Sequence, residues 1–244
     1  MTYCVGLLVD GGAVLLSDTR TNAGIDNIST YRKTFTFERP GERAIVMMTA
    51  GSLSVTQMLM ARLDEQNEDG EGASVMSLPT MLGVAEHVGQ EMARARADIA
   101  RTMTGGEGPM PDGTAASIIL CGQRTDGAMR MFLIYPEGNF IEATEDTPFL
   151  QIGEAKYGKP ILDRIVTRRT SLVDCRKAAL LSMDSTLRSN LSVGMPLDLT
   201  VLEEGECRIG ERMRIEEGDP GFGALSEGWS EALREAFGRV KMGV

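Results

Sequence analysis

The stretch TYCVGLLVDGGAVLLSDTR, residues 2–20, contains two apolar runs separated by the glycine pair Gly11–Gly12. The runs, residues 3–10 and 13–17, have the length of strands, and two adjacent glycines suit the positive φ angles of a tight hairpin turn. Both faces of the first run are apolar, with Val5, Leu7 and Val9 on one face and Cys4, Gly6 and Leu8 on the other. A strand that is apolar on both faces is covered on both, so the stretch predicts a β-hairpin inside a layered protein.

Beyond this hairpin the hydrophobic periodicity predicts further strands, two helices, strands, two helices and strands. We expect the further strands at 28–38, 43–51, 115–122, 129–136, 139–144, 149–153, 196–204 and 207–217. We expect helices at 53–66, 79–103, 155–167 and 171–188, followed by a helical tail at 220–240. This order predicts an α+β fold, a four-layer αββα sandwich, in a single domain that covers residues 1–244.

The composition argues against several classes of function. The 244 residues include 25 Lys and Arg against 35 Asp and Glu, a formal charge of -10, so a surface that binds nucleic acid is not expected. The apolar runs are too short to span a bilayer, so no membrane association is expected. The four cysteines are widely separated and sit in apolar stretches, which is typical of buried free thiols in the reducing cytoplasm.

Thr2 directly precedes the first predicted strand and follows Met1. If Met1 is removed, Thr2 carries a hydroxyl and a free α-amine on one residue. An α-amine has a pKa of roughly 7.7 to 8.0 and can therefore accept the hydroxyl proton near neutral pH. Nucleophile and base then come as one unit, and removal of Met1 would suffice for maturation. Threonine is also common at the second position, so position alone leaves both interpretations open.

Asp18 and Lys33 are the charged residues most relevant to this hypothesis. Asp18 ends the second run, and Lys33 lies in the alternating stretch 28–38. A lysine in such a strand is costly to bury unless it is paired. Held beside the terminal amine by Asp18, Lys33 would lower the pKa of that amine and favour the alkoxide. Lys33 on the outward side of an edge strand is the alternative.

The stretches TYCV, SDTRTNAGIDNISTYRK, TAGS, IGEAKYGKPILDR and RSNLSVGMPLDL resemble the β subunits of proteasomes. More narrowly, they resemble the bacterial ancestral β subunit family, Anbu, and the likeness runs from Thr2 to at least Asp198. This resemblance implies the αββα sandwich of N-terminal nucleophile hydrolases, which agrees with the order of the elements.

The resemblance also implies roles for individual residues. Thr2 would be the nucleophile, and Asp18 and Lys33 the charge pair that tunes it. Gly51 would present a backbone N–H to the developing oxyanion, although a glycine there also suits a simple strand-to-helix turn.

The chain departs from the proteasome pattern in two places. Gly153-Glu154-Ala155 replaces a Gly-Ser-Gly turn, and Ser189 and Ser192 stand where an aspartate and a serine are usual. Ser192 is expected to bond to the terminus, with Ser189 as a weaker substitute for the carboxylate and Glu154 as a possible source of the missing negative charge.

Three functions remain open at this point. The first is a threonine peptidase of peptide bonds, the second a hydrolase of small amides, and the third a non-catalytic assembly subunit. The resemblance implies a homo-oligomer, as a closed ring or an open helical lock-washer, and says nothing of an ATP-driven unfoldase. Neither a metal nor an organic cofactor is implied, since the one histidine, His87, has no partner at ligand spacing.

Overall fold

The computed structural model describes residues 1–22, 28–106 and 108–242. Residues 23–27, which belong to the quoted stretch SDTRTNAGIDNISTYRK, lie outside the described residues. The strands are β1 (Tyr3–Val9), β2 (Gly12–Asp18), β3 (Arg20–Asn22), β4 (Ile28–Thr30), β5 (Thr34–Arg39), β6 (Arg43–Gly51), β7 (Ala116–Arg124), β8 (Arg130–Ile134), β9 (Phe140–Glu142), β10 (Phe149–Gly153), β11 (Leu197–Glu203) and β12 (Ile209–Ile215). The helices are α1 (Leu53–Asp69), α2 (Met81–Thr104), α3 (Ala155–Ile165), α4 (Leu172–Ser189) and α5 (Pro220–Arg239).

Two antiparallel five-stranded sheets form the middle of the molecule. The first sheet has the strand order β10-β1-β2-β11-β12, and the second has the order β5-β6-β7-β8-β9. In the first sheet the hairpin β1–β2 is central, with β10 on one side and β11 on the other. Both central strands are buried at every residue, as their apolar faces predict.

Three apolar clusters fill the spaces between four layers of secondary structure. Tyr3, Val5 and Leu7 pack in a cluster with residues of α3 and α4, on the outer face of the first sheet. Cys4 and Leu8 point the other way, into a cluster shared by the two sheets. The third cluster joins the outer face of the second sheet to α1 and α2. The predicted α+β fold, a four-layer αββα sandwich, is therefore confirmed.

The predicted hairpin turn differs from the observed one in its position. The turn residues are Asp10 and Gly11, because Val9 pairs with Gly12 at the start of β2. Gly12 is the member of the pair with positive φ, 138°. A Cβ atom there would overlap the carbonyl oxygen of Leu202 in β11, so the glycine permits close contact between neighbouring strands.

The prediction of one strand at 28–38 was wrong. β4 pairs with β3 in a separate two-stranded sheet, whereas β5 pairs with β6 in the second five-stranded sheet. The break between β4 and β5 lies at residues 31–33, where the ammonium group of Lys33 reaches the first sheet and donates to Asp18. The chain therefore forms this buried ion pair in place of one continuous strand.

The helices follow the predictions, with small shifts at their ends. Ser171 caps α4 as the capping-box spacing predicts, since the N–H of Asp174 donates to its Oγ at 3.1 Å. α2 begins at Met81 after the capping residue Thr80, two residues later than the predicted start at residue 79. Within the described residues, no helix combines the length and the apolarity that crossing a bilayer requires.

Candidate active site

Thr2, Lys33 and Gly51 line one cavity of about 300 Å³. Thr2 precedes β1 of the first sheet, and Gly51 ends β6 of the second, so the cavity opens where the two sheets meet. Met1 and Glu154 line the same cavity. The sequence places these residues far apart, and the packing of one sheet on the other brings them together.

A buried ion pair lies beneath this cavity. Lys33 Nζ is 2.7 Å from Asp18 Oδ1, and the exposed fractions of the two side chains are 7% and 0%. The same ammonium group donates to the carbonyl oxygen of Arg20 at 2.6 Å. Lys33 therefore points inward, and the alternative of an outward lysine on an edge strand is wrong.

The Asp18 carboxylate is held by donors from three segments of the chain. Besides Lys33, the backbone N–H of Tyr3 donates to Oδ1 at 3.1 Å and that of Gly194 to Oδ2 at 3.2 Å. Burial raises the pKa of the Asp18 carboxyl above its ordinary value, whereas the Lys33 ammonium and these two N–H groups oppose the rise. The donors thus stabilise a charge that burial alone would disfavour.

The backbone of Thr2 is fixed by the strand next to β1. The carbonyl oxygen of Thr2 accepts a hydrogen bond from the N–H of Glu154 at 2.8 Å, which extends the pairing of β1 with β10 by one residue. Gly153 has a φ of 80°, and a Cβ atom at this position would overlap the same carbonyl oxygen. Glycine is therefore required at 153 for Thr2 to be held here.

Gly51 makes the strand-to-helix turn that its sequence context predicts. It ends β6 with a φ of 106°, two residues before α1 begins, and a Cβ atom there would overlap the carbonyl oxygen of Ala115. The backbone can therefore turn sharply at the cavity wall without a side chain in the way. Its role in binding an oxyanion stays a prediction.

The two predicted serines are not brought to the cavity. Neither Ser189 nor Ser192 is among its lining residues in the described part of the chain. Ser189 is the exposed last residue of α4, and the N–H of Ser192 donates to Asn190 Oδ1 at 2.9 Å. The bond of Ser192 to the terminus and the role of Ser189 as a substitute for a carboxylate remain predictions that this geometry does not support.

The loop that carries these serines supports the site through its backbone instead. Gly194 donates to Asp18, and the carbonyl oxygen of Leu191 accepts from Arg20 Nη1 at 3.0 Å. Sequence reasoning missed Gly194 because a backbone N–H leaves no residue-type signal. The one hint was the position of this glycine within the motif RSNLSVGMPLDL.

Glu154 is the charged residue that the sequence only weakly indicated. Its Oε2 atom is buried and has no hydrogen-bond partner among the residues that the structure describes. Lys156 Nζ lies 3.4 Å from it, within ion-pair distance, but this lysine side chain is 68% exposed. The cavity wall therefore contains a carboxylate with unused acceptor capacity next to Thr2.

The cysteines do not compete with Thr2 as nucleophiles. All four belong to the described part of the chain, where each is a buried free thiol, as predicted. Burial raises the pKa of Cys4, raises that of Cys121 to about 12 and raises that of Cys175 to about 11. Because the thiolate is the reactive form, these thiols are inert near neutral pH.

We expect iodoacetamide at pH 8 to leave Cys4 and Cys121 of the native protein unmodified, since burial excludes the reagent and suppresses the thiolate. The measurement is the mass of the alkylated protein, with the urea-unfolded protein as the control in which all four cysteines react. Rapid native alkylation at Cys4 would contradict this burial and reopen Cys4 as a nucleophile.

Comparisons with known proteins identify the family. A scan against models of protein families gives no match, and a search of curated proteins gives none.

Among solved structures, the chain is similar to Anbu (ancestral beta-subunit) from Yersinia bercovieri, with 40% identity over 98% of each chain and a TM-score of 0.91. It is similar to Anbu from Hyphomicrobium sp. strain MC1, with 43% identity over 98% of each chain and a TM-score of 0.87. It also resembles the structure titled helical assembly of the Anbu complex from Pseudomonas aeruginosa, with 42% identity over 99% of this chain and 98% of that chain, and a TM-score of 0.91. The chain belongs to the Anbu family of proteasome-related β subunits.

Proposed function

We propose that this protein is a threonine hydrolase that cleaves peptide or amide bonds with Thr2, after removal of Met1, within a homo-oligomer. The observation that carries the proposal is that Thr2, Lys33 and Gly51 line one cavity, above the buried Asp18 carboxylate. A buried ion pair is costly to maintain for stability alone, so its place beneath a hydroxyl nucleophile favours a catalytic use.

The proposed reaction is acyl transfer through an ester of Thr2. Thr2 Oγ1 attacks the substrate carbonyl carbon as its proton passes to the α-amine of the same residue. The ammonium formed there returns the proton to the departing nitrogen, so that the C–N bond breaks and an acyl-enzyme ester remains. Water then attacks the ester, the α-amine accepts its proton, and the carboxylic acid leaves as Thr2 Oγ1 regains a hydrogen.

Two features of the site favour these steps. The positive charge of Lys33 lowers the pKa of the neighbouring α-amine and stabilises negative charge on Oγ1. Backbone N–H groups near Gly51, on the opposite wall, would bind the oxyanion of the tetrahedral intermediate. A donor of this kind lowers the activation barrier by a few kcal/mol. Contacts that bind the substrate and the transition state equally well do not lower the barrier of the chemical step.

Self-association is part of the proposal because the similar protein from Pseudomonas aeruginosa forms a helical assembly. Helix α5 supports it. None of the residues of α5 that the structure describes is buried, and Leu233 and Phe237 expose 48% and 83% of their surface. A helix with an exposed apolar stripe is best stabilised by packing on a second copy.

A small-molecule amide hydrolase is the second candidate function. The cavity volume of about 300 Å³ is at the lower end of the range for ligand sites, which suits a small amide or a single side chain. A panel of fluorogenic peptides assayed beside small amides separates this candidate from a peptidase. A purely structural assembly subunit is less favoured, because such a protein gains nothing from the Asp18–Lys33 pair under Thr2.

The proposal predicts that the purified, untagged protein lacks Met1 and forms one adduct at Thr2 with an electrophile that acylates N-terminal threonines. Intact mass before and after incubation, followed by mapping of the N-terminal peptide, gives the result. A Thr21→Ala variant is the matched control, since Thr21 lines the same cavity without a terminal amine, and it should keep the adduct. Retention of Met1, or an adduct at another residue, would overturn the mechanism.

A further inference from the structure

We propose that the Glu154 carboxylate binds the α-ammonium group of Thr2 and so positions this group and stabilises its protonated form. The inference rests on the proposed function, because the ammonium group exists only once Thr2 is the first residue. Glu154 acts through the amine of Thr2 and is therefore a positioning residue.

The first step of the argument is the placement of Glu154 relative to Thr2. The N–H of Glu154 donates to the carbonyl oxygen of Thr2 at 2.8 Å, so the two backbones are in direct contact just beyond Tyr3 and Gly153, the last pair of β1 and β10. Both residues also line the same cavity. The Glu154 side chain is thus within reach of a charge on Thr2.

The second step is the state of the carboxylate itself. The side chain is 15% exposed, and its Oε2 atom is buried without a hydrogen-bond partner among the described residues. A buried polar atom of this kind normally has a donor. The Glu154 carboxylate raises the pKa of the Lys156 ammonium group, which lies 3.4 Å from Oε2, but this lysine side chain is 68% exposed and the contact falls outside hydrogen-bond geometry. The three donor hydrogens of a terminal ammonium group would satisfy this oxygen.

The third step concerns the other charges around the amine. Lys33 lines the cavity above Asp18, while Arg32 and Tyr31 line it from the same segment. From the wall that leads into α1 the lining residues are the uncharged Leu53 and Thr56, and α3 contributes Lys156 beside Glu154. Among the residues that the structure describes, Glu154 is therefore the carboxylate that lines the cavity, and its charge opposes the effect of Lys33 on the amine.

The consequence is a balance of two charges. Lys33 favours the neutral amine, which is the base, whereas Glu154 favours the ammonium form and fixes its direction by a charge-assisted hydrogen bond. A cationic group of a substrate is a different occupant for the same oxygen. The buried position of Oε2 opposite Thr2 favours the terminal ammonium group.

The test is a direct titration of the Thr2 amine that needs no catalytic activity. The full chain is made with an N-terminal fusion whose cleavage leaves Thr2 first, and is then treated with limiting acetic anhydride across a range of pH. Mass spectrometry of the N-terminal peptide measures the rate at each pH, which follows the neutral fraction of the amine. A failed hydrolase assay or retention of Met1 in the natural chain bears on the proposed function alone.

We expect Glu154→Gln to lower the pKa of the Thr2 amine by about one unit, since an opposite charge within about 4 to 6 Å produces shifts of this size. Lys156→Met should shift the same pKa upward, because it removes the cation that partly neutralises Glu154. Glu154→Asp should restore part of the wild-type value. Glu142→Gln is the matched control, since Glu142 pairs with Arg130 on β8 and does not line the cavity.

Two results would overturn the inference. The first is an unchanged amine titration in Glu154→Gln, with the fold intact by circular dichroism. The second is an unchanged titration together with a loss of kcat/KM confined to cationic substrates, which would assign Glu154 to the substrate instead. A lower amine pKa in Glu154→Gln that Glu154→Asp partly reverses would establish it, because a merely structural role of Glu154 would not make the titration of the amine follow the carboxylate.

Discussion

Replacement of Thr2 by alanine is expected to abolish hydrolysis while the protein folds and assembles as before. The substitution removes Oγ1, the only atom that forms the acyl-enzyme in the proposed mechanism, and leaves the α-amine in place. Loss of a covalent nucleophile lowers kcat by roughly 10³-fold or more. Thr2 is only partly buried, and its carbonyl oxygen keeps the hydrogen bond from Glu154 in the variant. The folded structure should therefore change little.

The measurement is kcat/KM on the best substrate from the peptide and amide panel, together with the mass of the assembly in solution. Thr2→Ser is the informative companion, because serine keeps a hydroxyl on the residue that bears the amine and should retain part of the activity. Thr102→Ala on the exposed side of α2 controls for the loss of a threonine elsewhere. Full activity in Thr2→Ala would refute Thr2 as the nucleophile.

Replacement of Lys33 by methionine is expected to remove both activity and stability. Methionine keeps most of the side-chain volume but leaves the Asp18 carboxylate buried without its ammonium partner. Breaking a buried ion pair from one side costs about 3 to 5 kcal/mol of unfolding free energy. Hydrolysis should fall by about 10²-fold or more, since the charge that stabilises Oγ1 and lowers the pKa of the amine is gone.

The stability part of this prediction is checked by urea unfolding, and the activity part by the same substrate assay. Lys177→Met is the matched control, because Lys177 pairs with Asp174 on the surface of α4, where both side chains are more than half exposed. Its unfolding midpoint should stay close to that of the wild type. The double variant Lys33→Met with Asp18→Asn should recover part of the stability without recovering activity. Wild-type activity in either Lys33 variant would contradict the proposed role of Lys33.

The layered fold was predictable because its cause is local. Tyr3–Val9 is an uninterrupted apolar run, and because successive side chains of a strand point to opposite faces, both faces of β1 are apolar. One face packs in the cluster with α4, and the other packs in the cluster with the second sheet. The position of the hairpin turn was less predictable. It depends on the contact between Gly12 and Leu202, which are far apart in the sequence.

The candidate site was predictable in part. The structure places Thr2, Lys33 and Gly51 on one cavity, and the resemblance to proteasome subunits had named all three. The break in the strand at residues 31–33 was not predicted, because the alternation of residues 28–38 gives no sign that the chain leaves the strand where Lys33 reaches Asp18. The contribution of Gly194 was also hidden, since its N–H carries no residue-type signature. The single domain over residues 1–244 stays a prediction.

The convergence of three chain segments on the Asp18 carboxylate has a consequence for synthesis on the ribosome. Its donors come from positions 3, 33 and 194, and the last of these is separated from Asp18 by 176 positions. A nascent chain that has not been translated past Gly194 cannot complete this set of bonds, however well its first hairpin has formed. A chain translated only part of the way to Gly194 therefore carries Thr2 without the finished set of bonds to Asp18 beneath it.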